Sequence, residues 1–298
     1  METVRRTRLR SAKELTTSLV ERLKSVLTQG VTTCEVKSGY GLNYEDEMKM
    51  LEAIRMAQKE VPVSLIPTCL AAHVRPPEFR DNKEYLSFII HRILKTIVDG
   101  DFCHRVDIFV DDHAFNVNEA RHFLTSAKNL GLQTVVHADQ FSVGGSLLAA
   151  EVGALSADHL EVSGPNEFQA LKAGNVVPIV LPGACLGLGV PFPNCRGMLD
   201  ANLPLVIATD TNPGSAPLGH LLMQAALIGM QCKLTTAETF AAITSRAARA
   251  LDLHDRGVLK PGMRADLLLF HTDDYRDILY HQGNLLPSII FIQGCRVA

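Results

Sequence analysis

Tryptophan is absent from the 298 residues, no two of the seven cysteines form a Cys-x-x-Cys pair, and neither sign of charge dominates. Each shortage excludes something. Lysine and arginine number 29 against 32 aspartates and glutamates, a net charge of −3, so no basic field exists to hold nucleic acid or an anionic membrane surface. No apolar run is long enough to span a bilayer, and the opening Met1-Glu-Thr-Val-Arg-Arg is too polar for a secretory leader. The cysteines are odd in number and scattered through apolar runs, as at Cys34, Cys69 and Cys185. They read as buried thiols of a reducing cytoplasm rather than a disulfide framework or a zinc knot. With 47% hydrophobic and 20% charged residues, the chain is expected to bury a large core and not to be disordered.

Short β-branched runs alternate with longer stretches of helical period. Val31–Lys37, Val63–His73, Val106–Asp111, Gln133–His137, Ala154–His159, Val176–Leu181 and Pro204–Asp210 read as seven buried strands. Between them lie Tyr44–Glu60, Leu86–Val98, Asn118–Leu130, Gly145–Val152 and Gly164–Ala173, which read as helices. Gly131, Gly153 and Gly174 fall where left-handed C-caps are expected. This repetition implies a parallel sheet with helices outside, one strand short of a closed (β/α)8 barrel.

At the start, Ser11–Leu27 reads as a helix with Ser11 as N-cap and Glu14 closing a capping box. No strand precedes it, so the chain is expected to open on a helix that follows a missing first strand. Beyond Asp210 two helical stretches follow, near Leu218–Met230 and Ala237–Leu251. Then Gly257–Phe270 and Leu286–Val297 read as short β segments around turns. The expected fold is α/β: a TIM-like (β/α)8 barrel lacking its first strand over residues 1–255, with a small C-terminal β segment over 256–298.

In a parallel barrel, functional groups collect where strands end on the C-terminal face. His73, His137, His159 and Asp210 all stand at such ends. Neutral imidazoles and a carboxylate suit Zn2+ or Fe2+ with an open position for water. The metal makes that water acidic near neutral pH, and a neighbouring carboxylate can pass its proton to a leaving nitrogen. That equipment hydrolyses amide-like C–N bonds. Each residue also has a plainer reading: a lone histidine as a hydrogen-bonded structural residue, and Asp210, ahead of Thr-Asn-Pro-Gly, as an N-cap or turn residue. The coincidence of His137, His159 and Asp210 on one rim favours the chemical reading. His91, His104, His122, His254, His271 and His281 lack that context, and Asp111-Asp112-His113 reads as a solvated loop.

Five segments carry a resemblance. Lys37-Ser-Gly-Tyr40-Gly-Leu, Leu70-Ala-Ala-His73-Val-Arg-Pro-Pro-Glu-Phe, His137-Ala-Asp-Gln140, Ser156-Ala-Asp-His159-Leu-Glu and Ala208-Thr-Asp210-Thr-Asn212-Pro-Gly214 resemble successive motifs of the imidazolonepropionases. They occur in the family's order, with compatible spacing, over nearly the whole chain. Gly257-Val-Leu-Lys-Pro-Gly-Met-Arg-Ala-Asp-Leu resembles the ending of many amidohydrolases.

The resemblance implies hydrolysis of the ring C–N bond of 4-imidazolone-5-propionate to N-formimino-L-glutamate, a step of histidine degradation. It also implies one divalent metal, Zn2+ or Fe2+, a small-molecule substrate and a homodimer. By the same resemblance His137 and Asp210 are metal ligands, and Asp210 also shuttles the proton of the attacking water. His159 stabilises the oxyanion or orients the carbonyl, and Gln140 orients substrate or water. Tyr40, His73, Asn212 and Gly214 line the substrate pocket.

The sequence departs from the family pattern in three places. Gln140 stands where many members carry glutamate, and a neutral amide cannot act as a base. Val110-Asp111 stands where Cys-Glu is expected. No His-x-His occurs, whereas in the family such a pair ends the first strand and supplies two further ligands, with an arginine just after it for the propionate. Thr3-Val-Arg-Arg-Thr-Arg resembles the segment after that strand, which puts Arg5, Arg6 and Arg8 near the loop covering the site. The expectation is an N-terminally truncated product. Two other readings stand beside it: a different cyclic amide or amidine hydrolase on the same barrel, and an inactive remnant that binds ligands or pairs with a partner chain.

Overall fold

The computed structural model describes residues 1–298. Its centre is a parallel sheet of seven strands in unbroken chain order: β1 Thr33–Lys37, β2 Ser64–Ala72, β3 Arg105–Val110, β4 Gln133–Ala138, β5 Ser156–His159, β6 Val177–Val180 and β7 Val206–Ile207. Each strand pairs in parallel with the next, and a helical crossover joins them, as parallel neighbours require. The sheet curls. In a flat sheet β1 and β5 would stand roughly 19 Å apart, yet Lys37 Nζ on β1 lies 3.2 Å from Asp158 Oδ2 on β5.

Strands β3 to β7 are largely buried because both faces are covered, whereas the edge strand β1, expected to be buried, is only half-buried along its length. One apolar cluster, with Phe115, Phe123, Leu124, Ile108 and Ile93 fully enclosed, joins the sheet to the helices Tyr44–Gln58, Asn82–Phe88, Val117–Asn129, Gly145–Val152 and Pro165–Ala173. Ser11 and Glu14 close the expected capping box on the helix Ala12–Thr28. A short antiparallel sheet of β8 Leu267–Leu269, β9 Ile289–Ile292 and β10 Cys295–Arg296 forms the tail. No helix is long and apolar enough to cross a membrane.

Several expectations are corrected. β7 is only Val206–Ile207, because Pro204 has no N–H to offer the ladder and the chain turns away after Ala208, whose N–H makes the last bond to Val180 O (3.1 Å). Asp210 therefore lies in the following loop, with φ of +48°, rather than on the strand. β2 likewise stops at Ala72, one residue before His73. Gly131 and Gly153 have the expected positive φ, +81° and +62°. Gly174 does not, at −78°; Asn175 takes the positive φ of +54° instead. Gly174 is needed for close approach, since a Cβ there would lie 2.8 Å from Ala150 Cα.

The helix expected over Ala237–Leu251 breaks at Thr244 (φ −128°, ψ −95°) into Thr236–Ile243 and Ser245–Ala250. Residues Glu2–Leu9, Pro182–Leu188 and Cys195–Asp200 form helices that the periodicity did not reveal. All seven cysteines are free, but not all are buried: Cys295 is exposed on the tail and Cys34 is half-buried.

Candidate active site

The loop after β1 is built around a buried carboxylate. Glu47, fully enclosed, accepts the backbone N–H groups of Gly41 (2.8 Å), Leu42 (2.9 Å) and Gly39 (3.2 Å). Gly39 has φ of +113°, and a Cβ there would press on Leu70 O at 2.9 Å. Ser38 Oγ accepts from Leu70 N at 3.1 Å and ties the loop to β2. The result fixes Tyr40 over the ends of the strands. Of the three arginines expected nearby, only Arg8 reaches this loop, donating to Gly41 O (2.7 Å) and pairing with Glu78. Arg5 and Arg6 lie exposed on the first helix, paired with Glu2.

The histidines converge. The Tyr40 and His73 rings meet edge-on at 5.5 Å, His73 lies 6.3 Å from His137, and His137 lies 5.2 Å from His159. His73 Nδ1 hydrogen-bonds Gly39 O at 3.1 Å. Burial, with His137 beside it, pushes His73 down to about 4, so its ring is neutral at neutral pH. His159 Nδ1 faces Glu161 Oε1 at 3.3 Å. His159 and Leu160 both hold positive φ, +84° and +68°, strain that the surrounding structure must impose.

Asp210 is coupled to the same group through its charge. Burial raises its carboxyl above the ordinary carboxylate range, against the pull of His159 and His137. Burial and the Asp210 charge together push the Tyr40 hydroxyl up to about 12. Asn212 Nδ2 donates to Asp210 O (2.7 Å) and Oδ2 (3.1 Å), while its Oδ1 accepts from Gly214 N and Ser215 N, both at 2.8 Å. Asn212 thus shapes the loop that presents Asp210, and Gly214 lies exposed at its tip. Gln140 is buried, three residues past His137. Asp111 is buried too, and braces the loop beyond Gln140 by accepting from Phe141 N (3.1 Å) and Ser142 N (3.2 Å); only Asp112 and His113 match the expected solvated loop.

Beneath the rim lies a charged layer that the sequence reading did not single out. Lys37 Nζ contacts Asp107 Oδ2 at 2.7 Å, Asp158 Oδ2 at 3.2 Å and Glu35 Oε2 at 3.2 Å. Asp107 Oδ1 accepts the backbone N–H of His137 (3.2 Å). Its Oδ2 stands 2.9 Å from His137 Nδ1, close but bent away from an aligned hydrogen bond, and buried Nδ1 has no other partner. Burial opposes charge on all three groups. Even so, His137 and Lys37 hold Asp107 well below the usual carboxylate range, Asp107 and Asp158 hold Lys37 high, and Asp107 raises His137. The signal in the sequence was a charged residue inside each of three apolar strands, a residue class almost never buried unless paired.

Two sets of donors could be weighed for a divalent metal. Atoms of Asp107, His137 and Asp158 fall within 4.8 Å of one another, but the Lys37 ammonium already sits among the carboxylates and would repel a dication. The other set is the face of His137 turned away from Asp107, together with the Asp210 carboxylate, which feels the charge of His137. An imidazole backed by a carboxylate on Nδ1 has Nε2 free as a donor, the usual arrangement of a metal-binding histidine. An imidazole nitrogen and a carboxylate are donor types that suit such an ion.

A curled parallel barrel whose rim gathers imidazoles and a carboxylate of this kind defines a hydrolase of the amidohydrolase class. Residues 2–279 match the family model described as "Amidohydrolase family". The chain is 40% identical over 296 residues to the imidazolonepropionase of Deinococcus deserti, covering 99% of this chain and 73% of that protein. It is 41% identical over 285 residues to that of Rubrobacter xylanophilus, covering 95% and 68%. The chain belongs to the imidazolonepropionase family of amidohydrolases.

In structure it is similar to 5-methylcytosine deaminase from Klebsiella pneumoniae liganded with 5-fluorocytosine (TM-score 0.79, 14% identity, 98% of this chain and 76% of that one). It is also similar to atrazine chlorohydrolase from Arthrobacter aurescens complexed with zinc (TM-score 0.76, 15% identity, 97% and 73%). At these identities the likeness is one of fold.

Proposed function

We propose that this chain hydrolyses the ring C–N bond of 4-imidazolone-5-propionate to N-formimino-L-glutamate, with one divalent metal held by His137 and Asp210. The observation that carries the reading is the 40% identity to an imidazolonepropionase over 296 residues. It is supported by the gathering of Tyr40, His73, His137 and His159 and by the charge coupling of Asp210 to His159, His137 and Tyr40.

When bound, a zinc or iron(II) ion supplies acidified water and polarises a carbonyl. The chain's own residues do the rest. Asp210, whose carboxyl burial shifts upward, accepts a proton from water and delivers it to the leaving ring nitrogen. The water oxygen ends in the new carboxylate. His159, braced by Glu161, orients the attacked carbonyl and stabilises its developing negative charge. Gln140 carries no proton and orients water or substrate. Neutral His73 and Tyr40 form the substrate-facing wall. Gly214 lines the mouth of the pocket, and Asn212 acts through the loop it holds. A homodimer in the cytoplasm completes the reading; the free thiols suit a reducing compartment.

The test is turnover of 4-imidazolone-5-propionate by the chain supplied with zinc or iron(II), beside a panel of other cyclic amides and amidines. Formation of N-formimino-L-glutamate, reduced at least about a hundredfold in Asp210→Asn, is the expected result. Activity confined to another ring would assign the site to a different hydrolase.

A further inference from the structure

Lys37, Asp107 and Asp158 come from β1, β3 and β5, three alternate strands, and they meet inside the curled sheet. Alternate strands of a barrel supply its interior layers, which are ordinarily filled by branched apolar side chains. Here one layer is ionic. Asp107 is fully buried and Asp158 nearly so. Ser156 Oγ donates to Asp158 Oδ1 at 3.0 Å, and Thr68 Oγ1 donates to Glu35 Oε1 at 2.5 Å, so the remaining carboxylate oxygens are also engaged.

Buried ion pairs seldom stabilise a fold better than apolar residues of similar volume, so core packing alone does not account for the layer. Its geometry does. Asp107 Oδ1 accepts the backbone N–H of His137, while Oδ2, shared with Lys37, stands 2.9 Å from Nδ1 but out of line for a straight hydrogen bond. Asp107 cannot swing away without breaking the contact to Lys37, and Lys37 is itself tethered to Asp158.

We infer that Asp107, clamped by Lys37 against Asp158, is a positioning residue that keeps the proton of neutral His137 on Nδ1 and so presents the Nε2 lone pair to the rim. A histidine locked in one tautomer is a ready metal ligand, and loss of such a partner typically costs roughly ten- to a hundredfold in metal affinity. The consequence for metal rests on the reading of His137 given above; the tautomer does not.

The experiment is nitrogen-15 NMR of histidine-labelled, metal-free protein at alkaline pH, where the ring is neutral. The His137 signals are assigned by their disappearance in His137→Gln. The expected result is an Nδ1-protonated ring in the wild type and loss of that preference in Asp107→Asn. Zinc retention against a competing chelator should fall about ten- to a hundredfold in the same variant. An unchanged tautomer in a folded Asp107→Asn protein would overturn the inference, because a merely structural brace would change the melting temperature and leave the tautomer alone.

Should Asp107→Asn not fold, Lys37→Gln with Asp158→Asn keeps the net charge of the layer and leaves Asp107 in place. The expected result is then a mixed tautomer and weaker zinc retention. Wild-type behaviour in both readouts would remove Lys37 and Asp158 from the account. No measurement here requires turnover, so failure of the proposed reaction and failure of this inference are separable.

Discussion

The Glu47 carboxylate accepts the N–H of Gly41 at 2.8 Å, and through that bond the helix Tyr44–Gln58 sets the loop carrying Tyr40. Replacing it by glutamine turns an N–H2 group toward backbone donors and leaves at least one of them unpaired. Glu47→Gln is expected to cost about 1–3 kcal/mol of stability, the range for an unsatisfied buried polar group. Tyr40 should also lose its fixed position, raising KM more than it lowers kcat. Chemical denaturation and steady-state kinetics check both; a variant of unchanged stability and KM would show that the carboxylate does not hold the loop.

Asp210→Asn keeps the shape of the side chain, and the Asn212 contact to the Asp210 carbonyl survives. Turnover should nevertheless fall by about 10²–10⁴, the usual share of a general acid–base group, while the melting temperature stays close to that of the parent. Near-normal kcat would mean that another group moves the proton.

Gln140 is buried three residues past His137. Gln140→Glu would add a buried ionisable carboxylate three residues past the proposed metal ligand. The expected outcome is a higher kcat with a modest loss of thermal stability, since a buried charge is costly. A kcat that does not rise would show that Asp210 alone carries proton transfer.

His73 provides a pH test whose sign follows from its environment. Its folded-state pKa, about 4, lies below the ordinary histidine value of about 6.5. As pH falls from about 6.5 to about 4 the unfolded chain takes up this proton and the native state does not, so the group lowers stability through that window. Below it the contribution levels off. Proton NMR of the His73 ring in the metal-free protein should show no titration between about pH 5.5 and 8. A midpoint near the ordinary histidine value would mean that the ring is solvated.

Much of this was legible in the sequence. Every expected strand is present in order, and His73, His137 and His159 lie near one another, because strand order follows from apolar periodicity and the histidines from the direction of a parallel barrel. The helix start at Ser11 was readable because a capping box is local chemistry. What was hidden is long-range. That Gly174 is required by Ala150 rather than by its own φ depends on two helices meeting. That Asn212 organises the Asp210 loop depends on the loop's path. Lys37, Asp107 and Asp158 lie up to 121 residues apart, and a charge inside an apolar strand has no visible partner until the sheet curls.

The most direct test is to supply the chain with zinc or iron(II), add 4-imidazolone-5-propionate, and identify the product by mass spectrometry, with Asp210→Asn and His137→Gln as controls. The account predicts N-formimino-L-glutamate from the parent chain, at least about a hundredfold less from Asp210→Asn, and none above background from His137→Gln. A folded, metal-loaded parent chain that leaves the imidazolone ring intact would contradict it.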